Sequence, residues 1–206
     1  MMTLALTRRF WLVGSSVGMT LLSLLAISRV TGVRWQSEPV KLLNGGLAPA
    51  FSLIDQQGRP FTSASLQGKV WVADFIFTAC PGQCLLMTDQ LAGLQRMFPM
   101  DSRVQFVSFS VDAAHDSPDV LTAYAVRYGA DLRWHLLTGD GAAIERLSRE
   151  GFRLAAAGDG KDPIVHSTRL VLVDAQGRLR GYYDAASALE MVRLRRAMRQ
   201  LLDTST

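Results

Sequence analysis

The feature that most constrains the fold of this chain is a nearly continuous apolar run followed closely by two cysteines. The run covers residues 70–77 and reads Val-Trp-Val-Ala-Asp-Phe-Ile-Phe, with Asp74 as its only charged member. An apolar stretch of this length is typical of a strand that is buried on both faces of a sheet. Cys80 and Cys84 come directly after it. The sequence therefore predicts two thiols at the end of a buried strand and the start of a helix.

Strands and helices alternate through the rest of the chain. Turn residues and apolar periodicity predict hairpins over 51–62 and 168–183, strands over 104–111 and 134–137, and helices over 84–98, 117–128, 141–150 and 187–203. Buried strands that alternate with helices indicate an α/β fold with a central mixed sheet flanked by helices.

The N-terminal residues predict a membrane segment. Residues 10–28 contain no charged side chain, and as a helix they would extend about 28 Å, close to the thickness of the hydrocarbon core of a bilayer. Arg8 and Arg9 precede this run, and positive charge is usually retained on the cytoplasmic side. We therefore expect the residues after Ser28 to lie outside the cytoplasm.

These features divide the chain into four expected parts: residues 1–9 in the cytoplasm, a transmembrane anchor over 10–28, a tether over 29–48, and a globular domain over 49–206. The expected location is a bacterial inner membrane, crossed once, with the soluble domain in the periplasm. A cleaved signal peptide is the alternative for the same segment, because Ala26-Ile27-Ser28 has the small-x-small pattern of a cleavage site. Either interpretation exports the domain.

Composition excludes two classes of protein. The net charge is +4, but the basic residues are scattered along the chain and form no compact block interleaved with aromatic residues, so we predict no nucleic-acid partner. Only two cysteines are present, which is too few for a scaffold held together by disulfides.

The cysteine pair leaves three interpretations open: a redox couple, half of a metal site, or an inert local disulfide. The positive end of a helix favours thiolate over thiol at Cys80. Two thiolates are too few for a structural zinc site, whereas they suit Cu(I), which prefers soft sulfur ligands. A third ligand from an imidazole would complete a three-coordinate site and would also tolerate Cu(II).

Three histidines could supply that imidazole. His115 lies in a polar loop and is interpreted as solvated, and His135 lies in a short strand, where a structural histidine is the simpler interpretation. His166 lies in a loop that enters an apolar strand, and a lone loop histidine is a ligand only in a minority of cases. The residues alone do not select one of them.

Several segments, taken in order, resemble the Sco/SenC family. They are DFIFTACPGQC over 74–84, SFSVD over 108–112, Asp116-Ser117-Pro118, His166-Ser167 and LVDAQGRLR over 172–180. The resemblance covers nearly all of 49–203. Two positions depart from it, since Leu85 and Ala113 stand where proline is common in the family.

The resemblance implies a thioredoxin-like fold and one copper ion per chain, as Cu(I), Cu(II) or both, with Cys80, Cys84 and His166 as its ligands. It also implies that Cys80 and Cys84 can form a redox-active disulfide. Family members assist assembly of the CuA centre of cytochrome c oxidase. The expected partners are therefore the CuA-bearing oxidase subunit, an upstream periplasmic copper donor and the inner membrane.

Two acids are candidates for a supporting role around the site. Asp74 is interpreted first as a buried acid hydrogen-bonded to nearby backbone, and second as a residue that tunes the thiols. Asp112 is interpreted first as a turn residue and second as a neighbour of the copper site.

The copper interpretation leaves alternative functions open. A metallochaperone is not an enzyme, but two enzymatic alternatives remain. One is a thiol–disulfide reductase that acts on oxidase cysteines, and the other is a peroxiredoxin-type peroxidase in which Cys84 resolves a sulfenic acid at Cys80.

Overall fold

The computed structural model describes residues 39–154 and 167–204. The predicted anchor over 10–28 and the predicted ligand His166 therefore lie outside the described residues. Within these two ranges, no helix is long and apolar enough to cross a membrane.

The described chain forms seven strands and four α-helices in the predicted alternation. In chain order they are β1 (Ser52–Asp55), β2 (Pro60–Thr62), β3 (Val70–Ile76), α1 (Gln83–Met97), β4 (Val104–Ser110), α2 (Pro118–Tyr128), β5 (Trp134–Thr138), α3 (Gly141–Arg146), β6 (Arg169–Val173), β7 (Leu179–Asp184) and α4 (Ala188–Thr204). A 3₁₀ turn over Ser63–Leu66 follows β2, and a π-helical turn over Leu147–Gly151 continues α3.

All seven strands belong to one mixed sheet, in the order β2-β1-β5-β4-β3-β6-β7. The central strands β3, β4 and β5 run parallel, whereas β6 is antiparallel to β3 and β1 is antiparallel to β5. Parallel strands require crossover connections, and α1 and α2 supply them. The predicted mixed sheet is confirmed.

Strand β3 is the centre of the molecule. All seven of its residues are buried, because helices or loops cover both faces of the sheet. Side chains alternate between the faces of a strand, so two cores form. Val70, Val72 and Ile76 pack with α1, α2 and α4. Trp71, Ala73 and Phe75 pack with β1, β2 and α3. The end of β3, where the cysteines follow, is therefore held on both sides.

Both ends of α2, the helix predicted over 117–128, have capping residues. The Ser117 hydroxyl accepts a hydrogen bond from the N–H of Val120, and Pro118 occupies the first turn, where its missing N–H costs nothing. Gly129 ends the helix with a φ of 67°, a conformation that favours glycine.

One segment differs from the expectation of a tether. Residues 43–48 lie along β7: the N–H of Leu43 donates to the carbonyl of Arg180, the N–H of Gly45 donates to the carbonyl of Leu179, and the N–H of Leu179 donates to the carbonyl of Gly46. This pairing was not predictable from the side-chain pattern, because it is made by backbone groups. The compact unit begins at Pro39.

Candidate functional site

Cys80 and Cys84 lie between the end of β3 and the first turn of α1. The N–H of Cys80 donates to the carbonyl of Phe77 and closes a tight turn directly after the strand. Cys84 is the second residue of α1. Both thiols are free and buried, with 8% of Cys80 and 2% of Cys84 exposed. The predicted placement of the cysteine pair is therefore what the structure shows.

The two thiols differ in acidity. Burial acts to raise the pKa of Cys80, but hydrogen bonds from the Cys84 thiol and from the N–H groups of Gly82, Cys84 and Gln83 outweigh it, so this pKa is lowered. Burial and the hydrogen bond to Cys80 raise the pKa of Cys84 to about 12. Cys80 is therefore the more acidic thiol of the pair, and Cys84 is the less acidic one.

Asp74 lies in the same buried region, on the face of β3 that packs under α1. It is completely buried, and neither of its carboxylate oxygens has a hydrogen-bond partner. The expected contacts with nearby backbone are limited to the N–H of Asp74 itself, which lowers the pKa of the carboxyl without reaching hydrogen-bond geometry. Burial raises the pKa of Asp74 to about 7, partly opposed by the hydroxyl of Ser108, its neighbour on β4. Its charge raises the pKa of Cys84, so its influence reaches the thiols.

Asp112 lies in a turn of the loop that joins β4 to α2. Its carbonyl accepts hydrogen bonds from the N–H groups of His115 and Asp116, and its carboxylate accepts a further one from His115 N–H at 3.3 Å. These contacts agree with its interpretation as a turn residue.

Two of the three histidines have contacts of their own. The Nε2 atom of His135 lies 3.0 Å from the Gln105 side chain, and its ring packs on Phe61; burial lowers its pKa to about 4. His135 is therefore a neutral structural histidine, as interpreted. His115 is 56% exposed, but its Nδ1 atom lies 2.9 Å from a carboxylate oxygen of Asp116, a partner that the sequence did not indicate.

Asp116 is the residue near the site that the sequence did not single out. It is completely buried and accepts hydrogen bonds from the backbone N–H and the hydroxyl of Thr78 and from the hydroxyl of Ser110. Burial acts to raise the pKa of Asp116, but the hydrogen bonds from His115, Ser110 and Thr78 lower it. The carboxylate is therefore a stable buried anion. Its one sequence signal was its place in the segment Asp116-Ser117-Pro118.

The cysteine pair supplies two soft sulfur ligands, and a copper ion could accept a third ligand beside them. The described residues do not supply that third ligand. Among residues 39–154 and 167–204, no group of three or more His, Cys, Asp and Glu side chains is placed to hold a metal ion. The chain resumes at Ser167, and β6 then runs antiparallel to β3 with Val171 opposite Ala73. Because of this direction, the start of β6 lies towards the end of β3 from which the cysteines follow.

A mixed sheet with helices on both faces, together with a buried dithiol between a central strand and a helix, defines a thioredoxin-like dithiol protein. The SCO1/SenC family description matches residues 42–202, which is most of the chain. The chain belongs to the SCO1/SenC family, and its predicted thioredoxin-like fold is confirmed.

Two curated relatives are similar over most of their length. The SCO1 protein homolog of Bacillus subtilis is 33% identical over 133 residues, covering 63% of this chain and 69% of the relative. A protein of Stutzerimonas stutzeri described as a putative copper-binding protein is 33% identical over 160 residues, covering 75% and 76%.

Three solved structures share the fold. A SCO1/SenC family lipoprotein from Bacillus anthracis is 36% identical with a TM-score of 0.69, covering 80% of this chain and 99% of that one. BsSco, described as a member of the Sco family of cytochrome c oxidase assembly proteins with a disulfide switch, is 28% identical with a TM-score of 0.67, covering 80% and 95%. Bradyrhizobium japonicum ScoI, solved with copper bound, is 25% identical with a TM-score of 0.60, covering 77% and 99%.

Proposed function

We propose that this protein binds one copper ion through Cys80, Cys84 and His166 and delivers it during assembly of the CuA centre of cytochrome c oxidase. The observation that carries the proposal is the buried pair of free thiols at the start of α1, in a chain of the SCO1/SenC family. Relatives described as copper-binding or solved with copper support it.

The chemistry of the pair suits copper as cargo. A thiolate is the form of cysteine that binds soft metals, and the N–H groups around the Cys80 sulfur stabilise its negative charge. Burial of both sulfurs limits contact with water and with hard competing ligands. Two sulfurs with one imidazole would hold Cu(I) and would also accept Cu(II).

The direction of β6 supports His166 as the third ligand. This histidine directly precedes Ser167, and β6 enters the sheet towards the end of β3 that leads to the cysteines. A ligand 82 positions after Cys84 can join the thiols only through the fold, and the direction of β6, which starts three residues after His166, supports such an approach.

We also propose that residues 10–28 anchor the chain in a bacterial inner membrane, with the domain in the periplasm. The support is the run of 19 residues without charge after Arg8 and Arg9. A periplasmic copper donor and the CuA-bearing oxidase subunit are the partners that this location would supply.

The test is Cu(I) competition against a chelator of known affinity, using the full chain in detergent. We expect one Cu(I) per chain, lost in Cys80→Ser and Cys84→Ser. His166→Ala should weaken binding by about tenfold or more and change the Cu(II) absorption spectrum. His135→Gln is the matched control, because this histidine on β5 has a structural partner in Gln105 on β4, and it should bind as the wild type does. Unchanged affinity and spectrum in His166→Ala would remove the third ligand from the proposal.

The role in assembly needs a cellular test. Deletion of the gene should lower the activity of a CuA-type oxidase, and added copper should restore part of it. Oxidase activity that is unaffected by the deletion at limiting copper would contradict the assembly role while leaving copper binding intact.

A second candidate function is reduction of disulfides in an oxidase subunit, and the unequal acidity of the two thiols favours it. The Cys80 thiolate would attack one sulfur of the target disulfide, forming a mixed disulfide and releasing a target thiolate. Cys84 would then lose its proton and attack the Cys80 sulfur, releasing the second target thiolate. Two electrons pass to the target, and the Cys80–Cys84 disulfide remains for an external thiol to reduce.

The two functions are separated by His166. Reduction of an oxidised peptide carrying CuA-site cysteines should require both Cys80 and Cys84 and should persist in His166→Ala. Copper delivery should require all three residues. A wild-type protein that fails to reduce the peptide would exclude the reductase function.

A further inference from the structure

We propose that Asp116 is a positioning residue that fixes the Cys80 end of the dithiol by holding Thr78. The inference rests on the proposed use of Cys80 and Cys84, and it concerns a residue that does not contact either thiol. Asp116 would act on copper binding and on disulfide formation alike, because both depend on where the Cys80 sulfur lies relative to Cys84.

The first step is that Asp116 accepts two hydrogen bonds from Thr78. Its backbone N–H lies 3.0 Å from Oδ2 of Asp116, and its hydroxyl donates to Oδ1 at 2.5 Å. One carboxylate thus holds both the backbone and the side chain of a single residue. A side chain held at two points by an ionised partner has little freedom to move.

The second step is the position of Thr78 in the turn. The N–H of Cys80 donates to the carbonyl of Phe77 at 3.2 Å, so residues 77–80 form a turn with Thr78 in its second position. The direction of the fourth residue of a turn depends on the backbone angles of its second and third residues, so holding the second residue restrains the fourth. The Cys80 side chain is therefore positioned from the Asp116 carboxylate through two residues of backbone.

The third step is that Asp116 is itself held. The hydroxyl of Ser110, at the end of β4, donates to Oδ2 at 2.5 Å, and Nδ1 of His115 lies 2.9 Å from Oδ1. The N–H of Asp116 also donates to the carbonyl of Asp112 at 2.8 Å. The carboxylate therefore joins the end of β4 and the loop before α2 to the loop that carries Cys80.

The other end of the dithiol has a separate support. Cys84 is part of α1, and its carbonyl accepts a hydrogen bond from the Thr88 hydroxyl. The distance between the sulfurs is thus set from two directions, by α1 at Cys84 and by Asp116 at Cys80. Loosening the Cys80 side alone should change this distance without unfolding the helix.

The test compares two hydroxyl donors to the same carboxylate. Thr78→Val removes the donor that lies on the cysteine loop, and Ser110→Ala removes the donor that lies on β4. Thr78→Ser keeps the hydroxyl and is the rescue variant. The readouts are Cu(I) affinity and the dithiol–disulfide equilibrium constant in a dithiothreitol redox buffer, with urea unfolding of each variant to measure stability.

We expect Thr78→Val and Asp116→Asn to lower Cu(I) affinity by about tenfold or more. They should also shift the dithiol–disulfide equilibrium constant by about tenfold, which corresponds to about 30 mV. Thr78→Ser should restore both values. Ser110→Ala should lower stability at least as much as Thr78→Val, because Ser110 also accepts from the N–H of Asp112. It should shift both readouts clearly less than Thr78→Val, because His115 and the carbonyl of Asp112 still hold Asp116.

The inference is overturned if Thr78→Val leaves both readouts within about twofold of the wild type, the scatter expected of independent sites, or if Ser110→Ala shifts them as strongly. Should Asp116→Asn fail to fold, the comparison of Thr78→Val with Thr78→Ser decides the matter. A wild-type protein that binds no copper would defeat the proposed function, while the redox-buffer measurement would still test Asp116.

Discussion

The hydroxyl of Tyr124 on α2 lies 2.7 Å from the hydroxyl of Thr88 on α1. Thr88 gives its single hydroxyl proton to the carbonyl of Cys84, also at 2.7 Å, so Tyr124 must be the donor between the two hydroxyls. Both residues are buried. The backbone of Cys84 is thereby linked through one side chain to the neighbouring helix.

This direction of donation predicts unequal losses of stability. Tyr124→Phe removes one donor, and Thr88 keeps its bond to Cys84, so the free energy of unfolding should fall by about 1 kcal/mol. Thr88→Val leaves a buried Tyr124 hydroxyl without this partner, so the loss should be larger, about 2–3 kcal/mol. Urea unfolding of the reduced protein measures both. Equal losses, or a larger loss in Tyr124→Phe, would contradict the assigned direction.

The buried carboxyl of Asp74 predicts a pH dependence of stability. Its pKa is about 7 in the folded state, against an ordinary value of 3.8, so the folded state holds this proton more tightly between those values. The contribution of Asp74 to the free energy of unfolding should therefore fall as the pH rises from about 4 to about 7, and stay constant above that. Asp74→Asn, which is uncharged throughout, should lack this fall.

The measurement is urea unfolding of copper-free, reduced protein at pH of about 4.5 and about 7.5. Other titrating groups are common to both proteins, so the difference between their pH slopes reports Asp74. Asp89→Asn, a change on the exposed side of α1, is the control and should keep the wild-type slope. Parallel slopes for the wild type and Asp74→Asn would show that this carboxyl is not held in its neutral form.

The unequal acidity of the thiols predicts unequal reactivity. Cys80 has a lowered pKa and Cys84 a raised one, and the thiolate is the form that reacts with iodoacetamide. Near neutral pH, Cys84→Ser, which retains Cys80, should be alkylated about tenfold or more faster than Cys80→Ser. In strong urea, the two variants should react at similar rates. Faster alkylation of the variant that retains Cys84 would reverse the roles assigned to the two sulfurs.

The pairing of residues 43–48 with β7 predicts a strong effect at one of two neighbouring glycines. A Cβ atom on Gly45 would lie 2.7 Å from the carbonyl oxygen of Leu179, whereas one on Gly46 would have nothing within 4 Å. Gly45→Ala should therefore lower the free energy of unfolding by about 1–3 kcal/mol. Gly46→Ala is the matched control and should change it by about 0.5 kcal/mol or less. Equal effects would mean that this segment is not packed on β7 in solution.

The parts of the fold that the sequence predicted are those with local signals. The apolar run of β3 and the start of α2 at Ser117-Pro118 act within a few residues, so their positions follow from pattern alone. The segment along β7 escaped prediction because backbone hydrogen bonds leave no pattern in the side chains.

In the candidate site, too, the features with local sequence signals were predicted and those that depend on the fold were not. The cysteine pair was placed correctly, since a buried strand followed by a helix fixes both ends of the motif. Asp116 was not recognised, because its contact with Thr78 spans 38 positions and depends on how β3 and β4 pair. The missing hydrogen bonds of Asp74 could not be foreseen either, since the sequence shows that an acid is buried but not which groups surround it.

The two outer strands have a consequence for how partners are recognised. At one side of the sheet, residues 43–48 occupy the backbone groups of the first part of β7. At the other side, β2 has three residues and begins with Pro60, which has no N–H to offer. Sheets that are closed off in this way resist β-augmentation by a foreign strand. A protein that receives copper from this chain, as proposed, would therefore bind through loops and side chains around the thiols.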